Sequence, residues 1–129
     1  MAGALVLVVE DNEKNMKLFR DVLHATGYRT LAASTAGQAL TLAIDHRPAL
    51  VLMDIRLPDL SGVDALHSLR VDDRTADIPV VAVTAQAKEG DRARFIEAGF
   101  DGYLSKPVDI DAFLATVQQL CRMGPHIRR

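Results

Sequence analysis

Leu50-Val51-Leu52-Met53-Asp54 is an apolar run that ends abruptly on a carboxylate. Four consecutive hydrophobic residues after Ala49 read as a strand buried on both faces, as in a parallel sheet covered by helices. Arg56, Leu57 and Pro58 follow, so the chain must turn at once and Asp54 sits at the carboxyl end of an interior strand. In open α/β sheets that is where ligands and chemistry collect. A second apolar run, Leu5-Val6-Leu7-Val8-Val9, ends on Glu10-Asp11, and a third, Val80-Val81-Ala82-Val83, ends on Thr84.

Helical patterns lie between these strands. Asn12 is placed to cap a helix from about Glu13 to Ala25, with Met16, Phe19, Val22 and Leu23 inward and Gly27 past its end. Tyr28 to Ala33 reads as a shorter strand near an edge. Ser34 or Thr35 caps a second helix through about Asp45, with Ala39, Leu40, Ala43 and Ile44 inward and Pro48 as its stop. A third helix is expected over Val63 to Val71 and a fourth over Gly90 to Ala98. A short strand over Gly102 to Leu104 and a helix from Asp109 to Arg122 complete the set. Strands alternating with helices in this way predict a doubly wound α/β fold, five parallel strands in the order 2-1-3-4-5 with helices on both faces.

The bulk numbers bound the function. A chain of 129 residues is one domain, with 49% hydrophobic and 25% charged residues, as in a globular protein. A net charge of −2 gives no footprint for nucleic acid, and the basic residues from Arg122 to Arg129 read as a solvated end. Cys121 is the sole cysteine, so no internal disulfide forms, and it reads as a half-buried small hydrophobe. No apolar run approaches the ~18 residues of a membrane span, and the first residues lack the features of a signal peptide. A cytoplasmic protein without membrane insertion is expected. His24, His46, His67 and His126 are scattered and read as surface residues.

The predicted order brings Glu10, Asp11 and Asp54 to one crevice, with Thr84 and Lys106 on the same rim. Close carboxylates repel at neutral pH and call for a cation. Oxygen-only ligands select a hard ion, magnesium or manganese, which binds through a few carboxylates and phosphate oxygens. Together with an amine and a hydroxyl, this is equipment for phosphoryl transfer, and a carboxylate can itself accept the group. Asp54 is the candidate acceptor; Glu10, Asp11 and Asp54 are candidate metal ligands, helped by the Arg56 main-chain carbonyl. Singly, each residue also suits a plainer role. Asp54 and Thr84 could be turn formers or helix caps, Glu10-Asp11 an Asx-type turn, and Lys106 a surface lysine. Their joint placement on successive strand ends favours the site.

Four blocks carry a resemblance: Val8-Val9-Glu10-Asp11-Asn12, Met53 to Gly62, Val83-Thr84-Ala85 and Ser105-Lys106-Pro107. In order and spacing they resemble the receiver domains of bacterial response regulators, the CheY-like family. The chain is similar to single-domain members that act in bacterial cell division and polarity. The resemblance implies that Asp54 is the phosphoacceptor, that Glu10 and Asp11 bind magnesium, and that Thr84 and Lys106 gather around the phosphoryl group. It further implies that Tyr103 is an aromatic switch coupled to Thr84, and that the Lys106-Pro107 bond is cis. The partners implied are sensor histidine kinases or a histidine phosphotransfer protein, with a monomer or weak dimer as the working form. On this reading residues 1–123 are the receiver, 124–129 a tail, and no output domain follows. Output is then binding of other proteins through the helix 4–strand 5–helix 5 surface, and helix 1 with the site rim meets the kinase. The chain is no enzyme beyond its own phosphorylation and dephosphorylation. Alternatives are a phosphorelay intermediate, a docking module independent of phosphorylation, and a metal-dependent phosphohydrolase, which Arg56 disfavours by standing where a second acid belongs. Glu10 departs from the aspartate common at its position, and Arg56 and Gln86 occupy positions that vary in the family.

Overall fold

The computed structural model describes residues 3–85 and 90–123, with side chains through Cys121. Five strands, β1 (Leu5–Val9), β2 (Arg29–Ala33), β3 (Leu50–Asp54), β4 (Val80–Thr84) and β5 (Gly102–Ser105), form one parallel sheet in the order β2-β1-β3-β4-β5. Between and after them run α1 (Glu13–Ala25), α2 (Ala36–His46), α3 (Gly62–Val71), α4 (Asp91–Ala98) and α5 (Ile110–Met123). The expected order and alternation are those observed, with element ends moved by a residue or so.

Alternate strand residues feed two cores, as the period of two requires. Val6, Val8, Leu50, Leu52, Val81 and Val83 pack with Phe19 and Leu23 of α1 and Phe113, Val117 and Leu120 of α5. Phe19 and Phe113 stack at 5.3 Å between ring centroids. Leu7, Val9, Val51, Met53, Val80 and Ala82 meet α2, α3 and α4 on the other face. There α2 contributes Ala36, Ala39 and Ala43, all buried, and Leu40 and Leu42 pack against this core half-buried. The expected stripe holds at Ala39 and Ala43 and, less deeply, at Leu40; Ala36 joins it, and Ile44 is only half-buried. Phe95 and Phe100, edge to face at 5.8 Å, close this core beneath α4.

Helix ends follow local chemistry. Asn12 caps α1 by accepting from the Asn15 N–H, Thr35 caps α2 through the Gln38 N–H, and Ser61 caps α3 through the Asp64 N–H. Gly27, at φ 94°, takes the left-handed conformation that terminates α1. Among the described residues no helix is long and apolar enough to cross a membrane. Gln86, His126 and the proposed tail lie outside the described residues.

Candidate functional site at the carboxyl edge of the sheet

Three strand ends deliver acids and an amine to one place. Glu10 follows β1 directly, and its main-chain N–H donates to the Ala33 carbonyl of β2 at 2.9 Å. β3 ends on Asp54, and the next N–H, of Ile55, donates to the Val83 carbonyl at 3.0 Å. The ends of β4 and β5 are tied by the Lys106 N–H, which donates to the Thr84 carbonyl at 2.8 Å. Glu10, Asp54 and Thr84 are buried, at 2, 5 and 6% exposure, while Asp11 is exposed. Carboxylate oxygens of Glu10, Asp11 and Asp54 lie within 4.8 Å of one another.

Lys106 holds this cluster together. Its ammonium, on a side chain 14% exposed, lies 2.7 Å from Glu10 Oε1 and 3.2 Å from Asp54 Oδ2. The remaining oxygens have main-chain donors: Glu10 Oε2 accepts from the Asn12 N–H at 3.1 Å, and Asp54 Oδ1 from the Arg56 N–H at 3.0 Å. The Lys106–Pro107 bond is cis. Arg56 itself is exposed and bridges to Ser61 across the loop. Gly62 lets α3 begin hard against the site, because a Cβ there would fall 2.6 Å from the Asp54 carbonyl oxygen.

One ammonium faces three acids, and the protonation equilibria record the strain. Burial pushes the Glu10 carboxyl up; Lys106 and the Asn12 N–H oppose this only in part, and Asp54 adds to it. Burial alone would lower the Lys106 ammonium, but Glu10 and Asp54 outweigh burial and raise it. A folded-state pKa above the ordinary 4.5 means that protonated Glu10 favours the fold; that stability is full below about 4.5 and lost as pH rises through the folded value. In chelator at neutral pH, Glu10→Gln is therefore expected to melt above the wild type, with the gap closing below about pH 4.5. A thermal melt series against pH reads this, and a wild type more stable at neutral pH would contradict it.

The oxygen-only donor set suits a hard divalent cation, which accepts carboxylates and needs no histidine or thiolate. Among the described residues the histidines stay out of the cluster: His24, His46 and His67 are exposed, and His24 Nε2 pairs with Thr30 Oγ1 at 2.8 Å. Burial pushes the Cys121 thiol up to about 11, so it stays a protonated, half-buried hydrophobe. Tyr103 lies half-buried on the other face of β5, its ring stacked on Phe95 at 5.6 Å. Its hydroxyl is enclosed without a hydrogen-bond partner among the described residues. Two residues that sequence reasoning passed over hold the frame: Asp59 reaches α2, and Arg70 joins α3 to Asp101. No spacing or composition signal marks either, since both contacts join segments 22 or more residues apart.

An open groove of about 870 Å³ begins at Glu10 and Asp11 and runs along α1 past Met16 and Arg20 to His24. A smaller hollow of about 220 Å³ lies between β5 and α5, lined by Tyr103, Thr116 and Gln119.

The chain's relatives carry the same architecture. Residues 6–118 match the model of the response regulator receiver domain. The polar-differentiation response regulator DivK of Brucella anthropi is 48% identical over 113 residues, 88% of this chain and 92% of that protein. DivK of Brucella ovis is 46% identical over the same share. Among solved structures, the receiver domain of the sensor histidine kinase PA1611 from Pseudomonas aeruginosa is similar, with a TM-score of 0.86 and 34% identity over 94% of this chain and 99% of that one. That receiver has a magnesium ion coordinated in its active-site cleft. The Francisella response regulator 1452 receiver domain superposes with a TM-score of 0.87 at 26% identity, over 94% of this chain and 98% of its own. With the sheet order, the acid cluster and a family match over most of its length, this chain belongs to the response regulator receiver domains.

Proposed function

We propose that the chain is the phosphoacceptor of a two-component phosphorelay and that Asp54 takes the phosphoryl group. The observation that carries this reading is the Lys106 ammonium set between Glu10 and Asp54 while Asp11 completes the acid cluster. The donor is the phosphohistidine of a sensor histidine kinase or of a histidine phosphotransfer protein. An Asp54 carboxylate oxygen attacks phosphorus, the P–N bond breaks as the P–O bond forms, and the imidazole leaves with its electron pair. Glu10, Asp11, Asp54 and the Arg56 main-chain carbonyl would hold magnesium, which supplies neutralisation of phosphoryl charge when bound.

This chain's own groups do the rest. Lys106 is already poised at Asp54 and stays as the fixed charge beside the new phosphoryl oxygens. Thr84, at the end of the neighbouring strand, supplies the hydroxyl that turns toward them. Phosphorylation adds about −1.5 to −2 charges at Asp54, and moving Thr84 inward changes the space available to Tyr103. The Tyr103 hydroxyl is enclosed with no partner among the described residues, and a group left so costs about 1–3 kcal/mol, which suits this position to such coupling. The contacts must favour the active state by a few kcal/mol for a clear switch. The signal leaves through the surface of α4, β5 and α5, where Ile96 is exposed and the hollow beside Tyr103 opens, to a protein partner. The groove along α1 adjoins the acids and suits the donor kinase. Resemblance to polar-differentiation regulators supports a role in cell-division or polarity control.

Phosphotransfer tests the reading. Incubated with a phosphohistidine donor and magnesium, the chain is expected to gain one phosphoryl group as the donor loses it. A donor that keeps its label with the histidine kinases of the source cell and with phosphoramidate alike would leave a phosphorylation-independent docking module. Steady release of many phosphate equivalents from small phosphoesters would point to a hydrolase.

A further inference from the structure

The loop between β3 and α3 is tied at its base and at its tip. At the base, the Gly62 N–H donates to the Ile55 carbonyl at 2.8 Å, and Arg56 bridges antiparallel to Ser61. At the tip, Asp59 reaches a different helix. Its Oδ1 accepts from the Ala36 N–H at 2.8 Å and its Oδ2 from the Gly37 N–H at 3.0 Å. Those are the first two residues of α2, whose N–H groups have no partner inside the helix. A carboxylate there is favoured by the helix dipole as well as by the two hydrogen bonds. The third amide, of Gln38, is served by Thr35 at 3.1 Å, so α2 has its own cap besides.

Arg56 stands between this tie and the phosphoacceptor. Its N–H donates to Asp54 Oδ1 at 3.0 Å, and only Leu57 and Pro58 separate it from Asp59. The proline ring fixes one backbone dihedral of that link, which leaves it less freedom to absorb a displacement of the tip. The two N–H donors hold the Asp59 carboxyl below its usual range.

We propose that Asp59 is a positioning residue: by clamping the loop tip onto the start of α2, it sets the Arg56 main chain against Asp54 and so governs cation affinity and phosphoryl acceptance. The proposal rests on the reading of Asp54 and its acid cluster as the phosphoacceptor site. Asp59 touches none of the reacting atoms and acts through Arg56. A purely structural role for Asp59 would be limited to capping α2, and Thr35 provides the comparison, because Thr35→Ala removes a cap of the same helix without touching the loop.

The experiment compares wild type, Asp59→Ala, Asp59→Asn and Thr35→Ala in three measurements. These are the melting temperature, hydrogen exchange at the Arg56 amide without metal, and magnesium affinity followed by backbone amide shifts. Asp59→Ala is expected to bind magnesium roughly tenfold more weakly, the loss usual when an outer support of a metal site is removed, and to exchange the Arg56 amide faster. Asp59→Asn keeps one acceptor oxygen and falls between; it carries the comparison if the alanine variant fails to fold. Thr35→Ala lowers the melting temperature but keeps wild-type magnesium affinity and Arg56 exchange. Asp59 variants that differ from wild type only in melting temperature, as Thr35→Ala does, would overturn the proposal. A wild type that binds no magnesium strikes the phosphoacceptor reading instead, while the Arg56 exchange comparison still decides whether the clamp exists.

Discussion

Asp54→Asn is expected to end phosphoryl incorporation completely while leaving the fold as stable as the wild type or more so. The amide has nearly the shape of the carboxylate, and its oxygen still accepts from the Arg56 N–H that now lies 3.0 Å from Oδ1. What it lacks is a nucleophilic oxygen able to form the acyl phosphate. It also removes one charge from a cluster in which Glu10, 2% exposed, is held up partly by Asp54 itself. Lys106 keeps its closer partner, Glu10, at 2.7 Å. Mass measurement after exposure to a phosphodonor, with a thermal melt in chelator, checks both halves. A variant that still takes up phosphoryl, or that unfolds, would contradict the assignment.

Arg70→Met is expected to do the reverse, destabilising the fold by about 3 kcal/mol, as for breaking a buried ion pair, without disabling the site. Arg70 Nη1 donates to the Ala76 and Ile78 carbonyls at 3.2 and 2.7 Å, and Nη2 to the Gly99 carbonyl at 3.1 Å and Asp101 Oδ2 at 2.9 Å. Asp101 Oδ2 also accepts from the Val80 N–H at 2.8 Å. One guanidinium thus joins the end of α3, the approach to β4 and the turn after α4. Its side chain is 16% exposed and that of Asp101 8%, so methionine would fill the stem's space but remove the Arg70 charge from beside a nearly buried carboxylate. A melting temperature lower by roughly 10 °C follows. Arg70→Lys should recover only part of this, since a point charge cannot serve several acceptors at once. Because Val80 opens β4 and Asp101 precedes β5, the clamp lies at the sheet edge opposite Asp54, and phosphoryl uptake per folded chain should be unchanged.

The contrast between these residues shows what a sequence carries. β3 and β4 are apolar through their length because both faces are covered, and that pattern is visible without coordinates. Once the strands are placed, the topology alone puts Glu10, Asp11, Asp54, Thr84 and Lys106 on one edge. The role of Asp59 was not legible, because an acid after a proline looks like any turn former and its partners are main-chain amides 22 and 23 residues away. Arg70 likewise reads as a helix-end cation, and only the fold shows that it serves carbonyls from two other segments. The stripe of α2 is legible only in part, for a related reason. Periodicity fixes the spacing of a buried face but does not say whether alanines or leucines occupy its centre.

Whether Asp54 itself accepts the phosphoryl group is decided by mass spectrometry. The chain is incubated with acetyl phosphate, with magnesium or with chelator, and the intact protein and its peptides are weighed. A single phosphoryl group per chain is expected, in the peptide that contains Asp54, formed with magnesium and absent with chelator. A phosphoryl group elsewhere in the chain, or one that forms equally well in chelator, would contradict it.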